Sequence, residues 1–205
     1  MQPRFADVTG MAAGYVIGSV PIGVLISRAT RGLDVRDHGS GSMGTTNVAR
    51  IIGPGAGAAT FALDVGKGVA AVQVAQALGS TRTGQAAAAL AAAAGHSWPL
   101  FARFRGGKAV ATAFGGLLMV SPTASAFAVV TGLTALGASR IVSIGSLAAA
   151  TGATLGAVYE LERTGRRLPL AYAGLATTLI VCRHRSNIRR MLRGEEPRLG
   201  APAPS

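Results

Sequence analysis

Five long stretches of this chain contain no charged side chain, and this feature limits its possible folds more than any other. The stretches are 15 to 31 residues long and cover 8–27, 83–102, 109–139, 141–159 and 168–182. A further segment, 51–81, holds only Asp64 and Lys67. Since a helix that crosses a bilayer needs about 17 to 25 apolar residues, most of the chain can lie in lipid. The sequence therefore predicts an integral membrane protein without a separate soluble domain.

The apolar stretches divide into about seven helices once proline breaks are considered. A single helix over the 31-residue stretch would exceed a hydrocarbon core of about 30 Å, and Ser121-Pro122 provides a break within it. The predicted helices cover residues 8–27, 52–79, 83–101, 108–120, 123–138, 141–159 and 168–182. We expect an all-α membrane fold that forms one embedded domain over 1–205, with a disordered Pro-rich tail over about 197–205.

The basic charge of the chain predicts its orientation. A net charge of +12, from 18 Arg and two Lys against eight acids, suits a nucleic-acid-binding protein, but in a membrane chain it more simply retains loops in the cytoplasm. In a seven-helix chain, the loops of one side would hold 14 Lys and Arg and those of the other side five. We therefore expect the N-terminus outside, the C-terminus in the cytoplasm and no nucleic-acid partner.

A polar, glycine-rich segment lies between the first two predicted helices, on the side expected to be cytoplasmic. Residues 38–50 read HGSGSMGTTNVAR. Glycines allow successive backbone N–H groups to face one anion, and the hydroxyl groups and Arg50 would add donors. The segment also matches G-x-G-x-x-G, but no strand precedes it, so a dinucleotide site is not supported. The alternatives are a phosphate-binding loop and a flexible Gly/Ser turn.

A second segment, 95–112, also predicts an anion site. Gly106, Gly107 and Lys108 stand where a helix is expected to begin, which would place free N–H groups, the positive end of the helix dipole and an ammonium at one spot. A nucleotide-binding P-loop is not supported, because Ala102 and Ala109 occupy positions that require Gly and Ser or Thr. His96 precedes this segment, and a single histidine near a helix end is more often structural than catalytic.

A third segment, 183–194, combines arginines with two other polar residues. Helical spacing places His184 and Asn187 on one face, and arginines on another. A basic amphipathic helix on anionic lipid would account for the arginines, but not for the aligned His and Asn. Asp64 and Lys67, three residues apart, can neutralise each other, although ionisable groups at membrane depth are functional candidates in general. With the two loops above, this segment is expected to meet one membrane surface.

These segments resemble a known family of enzymes. GSGSMGTTNVAR, GHSWPLFARFRGGKAVAT and HRSNIRRMLRGEE are similar, in order and spacing, to three sequence blocks of the bacterial acyl-phosphate:glycerol-3-phosphate acyltransferases. The connecting stretches GSVPIG, LDVGKG and SRIVSIGS are similar as well, so the resemblance covers nearly the whole chain. The His-x4-Asp pattern of the acyl-CoA-dependent glycerol-phosphate acyltransferases is absent from the sequence.

The resemblance implies a seven-helix enzyme that transfers a fatty acyl group from acyl phosphate to the 1-hydroxyl of glycerol 3-phosphate. The products would be lysophosphatidic acid and phosphate, in the first step of phospholipid synthesis. The residues implied to bind glycerol 3-phosphate are Ser40, Arg50, Lys108, His184 and Asn187, the last three also being the implied catalytic residues. Those implied to enclose the acyl phosphate are Gly44, Thr46, Asn47, Gly106 and Gly107.

The chemistry implied for this site requires neither a metal nor a cofactor. Phosphate leaves an acyl phosphate without protonation, so the protein must mainly position the hydroxyl and neutralise two anions. The three histidines are far apart in sequence and have no ligand spacing, and we expect no metal and no cofactor. The expected partners are glycerol 3-phosphate, fatty acyl phosphate and membrane lipid, bound by a monomer in the cell membrane with its active site on the cytoplasmic face.

Three alternatives remain at this point. The glycines and cations also fit a transporter or binding protein for a phosphorylated solute, although no internal repeat is visible to favour a transporter. A lipid-binding scaffold is the second alternative. An inactive homologue is the third, because Ser42 stands where the family usually has Asn; Ala109, at a position for Gly or Ala, is a milder departure.

Overall fold

The structure, a computed structural model, describes residues 4–200, and within them every regular element is helical. Ten α-helices follow one another in this part of the chain: α1 Phe5–Gly18, α2 Ile22–Arg31, α3 Thr45–Ile51, α4 Pro54–Ala77, α5 Arg82–Ser97, α6 Val110–Val120, α7 Pro122–Ser139, α8 Val142–Thr164, α9 Leu168–Arg183 and α10 Arg185–Leu192. Two single 3₁₀ turns, Val35–Asp37 and Leu100–Ala102, lie in the connections. The predicted all-α fold is confirmed.

The first predicted helix is interrupted, which the prediction of one helix over 8–27 missed. α1 ends at Gly18 and α2 begins at Ile22, because Pro21 has no N–H to donate and its ring disfavours a helical conformation before it. α2 then continues to Arg31, beyond the predicted end at residue 27. The break exposes backbone carbonyl groups in the middle of an apolar segment.

Other helices also differ from the prediction, and the largest shift of a boundary is that α8 continues to Thr164 instead of 159. α5 ends at Ser97 instead of 101, since Trp98 precedes Pro99 and avoids the helical region. α6 begins at Val110 instead of 108, because Ala109 adopts a left-handed φ of 62°. Residues 45–51, predicted as part of a loop, form the short helix α3.

Within residues 4–200, four apolar segments are long enough to cross a membrane: Phe5–Arg31 taken through its break, Pro54–Ala77, Pro122–Ser139 and Val142–Thr164. The helices α6 and α9 are apolar but shorter, and α5 has 16 residues. Since each residue adds about 1.5 Å of rise, these three reach less far across a core of about 30 Å.

The chain divides into two compact units, with the boundary between Gly116 and Leu117. In the first unit, α1 packs against α4 and α5. The contact between α1 and α5 is close, because a Cβ at Gly18 would strike the backbone carbonyl of Ala92. This packing brings the break after α1 next to the C-terminal half of α5.

The second unit is built on α8, which packs along α7 on one side and α9 on the other. The Thr177 hydroxyl of α9 donates to the Ala150 carbonyl of α8 at 2.9 Å. In the predicted tail, residues 201–205 lie outside the described part, whereas Leu199 N donates to Arg140 O at 2.7 Å.

Candidate functional site

The glycine-rich segment of the first unit is folded around the side chain of Asn47. This amide is 2% exposed. Its Oδ1 accepts a hydrogen bond from Ser40 N at 3.0 Å, and its Nδ2 lies 2.9 to 3.0 Å from the carbonyl oxygens of Val35, His38 and Ser42. Buried polar groups require such partners. Asn47 therefore shapes the loop that carries Ser40, a task that its position in the sequence did not reveal.

The remaining predicted residues of this segment lie on the short helix α3 or directly before it. Gly44 is the residue before its first turn, Thr46 lies within that turn, and Arg50 lies in its last turn. All three are partly buried. The Gly44 N–H donates to Ser42 Oγ at 3.2 Å, so the serine found at this position holds part of the turn.

The second predicted anion site differs from its expected form. Residues 105–109 belong to no regular element and α6 starts only at Val110, so Lys108 lies before the helix. Gly107 N donates to the carbonyl oxygen of His96 at 3.0 Å. The expectation that Gly107 offers a free N–H to an anion is therefore wrong, because that donor already has a backbone acceptor.

Steric contacts explain why residues 106 and 107 of this segment are glycines. Neither Gly106 nor Gly107 has a positive φ, so backbone freedom does not require glycine at either position. A Cβ at Gly106 would strike the backbone carbonyls of His96 and Ser97, and one at Gly107 would strike the His96 imidazole. The pair of glycines thus makes room for His96.

An arginine ties the two segments of the first unit together. The Arg36 guanidinium, 12% exposed, forms an ion pair with Asp34 at 2.7 Å. It also donates to the carbonyl oxygens of Ala102 at 2.7 Å and Arg105 at 3.3 Å. The hydrogen bonds from Arg36 hold the pKa of the Asp34 carboxyl well below its usual value, more than burial raises it. Asp34 thus stays charged and keeps Arg36 directed at the second segment.

Three ionisable side chains meet inside the first unit. The predicted pairing of Asp64 and Lys67 is confirmed, with 2.9 Å between Oδ1 and Nζ. His96 joins them, its Nδ1 lying 3.1 Å from Lys67 Nζ and 3.4 Å from Asp64 Oδ1. The Lys67 ammonium also donates to the carbonyls of Gly18 and Val20, at the break after α1. Sequence spacing indicated the first pair but not the histidine, because α5 brings it from 29 residues away.

The second unit holds the other two predicted catalytic residues. His184 lies between α9 and α10, and His184 and Asn187 are 1% and 4% exposed. His184 Nδ1 lies 2.8 Å from the carbonyl oxygen of Ile180. Since a carbonyl only accepts, Nδ1 is the donor and the lone pair of the neutral ring is on Nε2. Within the described residues, Oδ1 of Asn187 is buried without a hydrogen bond.

A carboxylate that the sequence did not single out holds Asn187 in place. Glu196 Oε1 accepts from Asn187 Nδ2 at 2.6 Å and from the Ser143 hydroxyl at 2.5 Å, while Oε2 pairs with Arg190 at 2.7 Å. Burial alone would raise the pKa of Glu196, but these hydrogen bonds and the arginine hold it below its usual value. Its charge therefore persists at neutral pH.

The predicted site residues thus divide between the two units. The first unit contains Ser40, Gly44, Thr46, Asn47, Arg50, Gly106, Gly107 and Lys108, and the second contains His184 and Asn187. Among residues 4–200, no group of three His, Cys, Asp or Glu side chains is arranged to hold a metal ion.

Comparison with known proteins points to one family. A family model described as glycerol-3-phosphate acyltransferase matches residues 8–194. A glycerol-3-phosphate acyltransferase from Anaeromyxobacter sp. (strain Fw109-5) is 45% identical over 194 residues, covering 92% of this chain and 94% of that protein. The enzyme of the same name from Synechococcus sp. (strain CC9902) is 42% identical over 190 residues, covering 93% and 94%.

Two solved structures have the same fold. The crystal structure of PlsY (YgiH), an integral membrane glycerol 3-phosphate acyltransferase, in its glycerol 3-phosphate form superimposes with a TM-score of 0.86 at 34% identity. The alignment covers 95% of this chain and 96% of that one. The lysophosphatidic acid form of PlsY gives a TM-score of 0.82 at 32% identity, covering 95% of both chains.

Proposed function

Because this chain belongs to the glycerol-3-phosphate acyltransferase family, we propose that its acyl donor is a fatty acyl phosphate and its product lysophosphatidic acid. It is an integral membrane acyltransferase of phospholipid synthesis. One observation carries the choice of donor: the first unit has two polar segments suited to phosphate, each ending near a cation, Arg50 or Lys108. Together the two segments offer groups for two phosphates: we assign both cations to glycerol 3-phosphate and the neighbouring glycines to the phosphate of the donor. The lysophosphatidic acid form of PlsY supports the product.

The proposed reaction is a direct attack of one substrate on the other. The 1-hydroxyl oxygen of glycerol 3-phosphate bonds to the carbonyl carbon of the acyl phosphate, the bond from that carbon to the phosphate oxygen breaks, and phosphate leaves with the electron pair. The hydroxyl proton passes to Nε2 of His184 or to an oxygen of the departing phosphate. The protein supplies positioning and positive charge, which account for most of the rate enhancement in such a reaction.

The proposed roles follow the predicted residues. Ser40, Arg50 and Lys108 bind the acceptor phosphate, and His184 and Asn187 bind its hydroxyl groups. The buried Oδ1 of Asn187 would accept from such a hydroxyl, since its Nδ2 is already used by Ser143 and Glu196. Gly44, Thr46, Gly106 and Gly107 form the surroundings of the donor phosphate. Asn47 acts there through the loop that it shapes.

We also propose seven crossings, with the N-terminus outside and the C-terminus and active site on the cytoplasmic side. The four long apolar segments provide four crossings, and α5, α6 and α9 are assigned to the other three. The excess of Lys and Arg in the loops of one side supports this orientation. The family match, which extends over 8–194 and includes both units, supports a single functional domain over 1–205. We propose that it acts as a monomer.

A comparison of donors tests the proposal. The purified protein in detergent would receive glycerol 3-phosphate with either palmitoyl phosphate or palmitoyl-CoA, and lysophosphatidic acid would be measured by mass spectrometry. We expect product with palmitoyl phosphate only. Product from palmitoyl-CoA alone would overturn the proposed donor. No product with either donor would favour an inactive homologue or a solute-binding protein.

A further inference from the structure

The hydrogen bonds of Lys67 determine which ring nitrogen of the neighbouring His96 carries the proton. A lysine ammonium has three protons and no acceptor. Lys67 has three hydrogen-bond partners: the Gly18 carbonyl at 3.1 Å, the Val20 carbonyl at 2.9 Å and His96 Nδ1 at 3.1 Å. Asp64 Oδ1 also lies 2.9 Å from Nζ and neutralises the ammonium. His96 Nδ1 is therefore an acceptor, and the ring proton is on Nε2.

The proton-bearing nitrogen faces the second glycine-rich segment. A Cβ on Gly107 would lie against His96 Nε2, while the His96 carbonyl already takes the Gly107 N–H. The side chain of His96 is 4% exposed. The arrangement presents a fixed donor beside the segment in which Gly107 has lost its own.

The burial of these groups requires an explanation of its own. Asp64, Lys67 and His96 are 2%, 6% and 3% exposed, and buried ionisable groups in a membrane protein are costly to keep. Lys67 offsets part of that cost by donating to the carbonyls of Gly18 and Val20 beside the break at Pro21, and Asp64 neutralises its charge. The result is a histidine whose tautomer is fixed and whose ring cannot rotate freely.

We propose that His96 binds the phosphate of the acyl donor through its Nε2–H, with Lys67 as the positioning residue that fixes this tautomer. The inference rests on the proposed acyl-phosphate chemistry. His96 replaces the N–H that Gly107 gives to the backbone, and it donates to a phosphate oxygen of the donor. Gly107 has no side chain because that side chain would separate the imidazole from the phosphate.

Two amide substitutions test which ring nitrogen matters. The glutamine amide can occupy the position of Nε2, and the asparagine amide that of Nδ1. We expect His96→Asn to raise the KM for palmitoyl phosphate about 10- to 100-fold, as for a lost hydrogen bond to a charged group. His96→Gln should raise it less than about fivefold, and the KM for glycerol 3-phosphate should change little in either variant. A larger loss in His96→Gln than in His96→Asn, or equal losses in both KM values, would overturn the proposal.

A measurement on the unaltered protein covers the case in which a variant does not fold. ¹⁵N-histidine NMR in detergent distinguishes protonated from unprotonated ring nitrogens. We expect His96 to be protonated at Nε2 only, and its Nε2 signal to shift when inorganic phosphate is added. Protonation at Nδ1, or no response to phosphate, would overturn the role of His96. Because this readout needs no turnover, it is independent of the donor assay, in which failure would instead count against the proposed function.

Discussion

Arg50 and Lys108 are the two cations assigned to the acceptor phosphate. Removing one partner of a close charge pair costs about 2 to 5 kcal/mol, which corresponds to a loss of about 30- to several thousand-fold in kcat/KM. We expect losses of this size in Arg50→Ala and in Lys108→Ala. Lys108→Arg should not fully restore activity, because a planar guanidinium does not replace a compact ammonium. Arg103→Ala, which removes an exposed cation near Lys108, is the matched control; unchanged kinetics in Arg50→Ala and Lys108→Ala would place the phosphates elsewhere.

His184 has its Nδ1 bonded to the Ile180 carbonyl, so only Nε2 can accept from the acceptor hydroxyl. If it positions the hydroxyl while the donor phosphate takes the proton, His184→Gln should keep kcat within about tenfold of the unaltered enzyme, because the glutamine oxygen can accept in the same place. A general base would instead contribute about 10² to 10⁴. We expect the first outcome, measured at saturating substrates from pH 5 to 9. A thousand-fold drop in kcat would identify His184 as the base.

The sequence identified many of the candidate site residues, but it did not predict which side chains they contact. The spacing of Asp64 and Lys67 indicated an ion pair because both lie on one helix. His96 contacts Lys67, which is 29 residues away in the sequence, and Glu196 contacts Ser143, which is 53 residues away. The periodicity within one helix contains no information on such distant contacts. Asn47 was assigned to a ligand by resemblance, whereas the structure uses its amide to hold four backbone groups.

At the scale of elements, Arg36 joins the first glycine-rich segment to the turn at Leu100–Ala102. Hydrogen bonds of a charged group contribute about 1.5 to 3 kcal/mol, and each kcal/mol changes the Tm of a chain of this size by about 2 to 4 °C. We expect Arg36→Gln to lower the Tm in detergent by several degrees. Arg28→Gln removes another partner of the same Asp34 carboxylate, but Arg28 is 61% exposed, so its Tm should hardly change. Equal Tm values for the two variants would contradict the role of Arg36.

Helix boundaries were predictable where a proline or the length of an uncharged stretch determines them. They were less predictable near the candidate site. Ser121-Pro122 separates α6 from α7 as expected, but the break at Pro21 was overlooked inside an apolar stretch. The start of α6 was placed two residues early, because the left-handed conformation of Ala109 is rare for a residue with a Cβ. The pattern of apolar residues does not predict a left-handed backbone conformation at a single residue.

At the scale of the whole molecule, the proposed orientation in the membrane rests on the loop charges. We expect a reporter fused after Ser205 and one inserted in the loop 103–108 to report the cytoplasm, and one near Arg166 to report the opposite side. Thiol labelling of single cysteines in a Cys182→Ser background would give the same information, since Cys182 is the only native cysteine. Opposite locations for the first two positions would contradict the proposed topology.

The central claim is that one enzyme couples loss of the acyl phosphate to acylation of glycerol 3-phosphate. ³¹P NMR follows all four phosphorus species in one reaction with the purified protein. We predict that lysophosphatidic acid and inorganic phosphate rise together in equal amounts while both substrates fall, at a rate that Lys108→Ala greatly reduces. Phosphate that accumulates without lysophosphatidic acid, or substrates that remain unchanged beside active protein from a known relative, would contradict the claim.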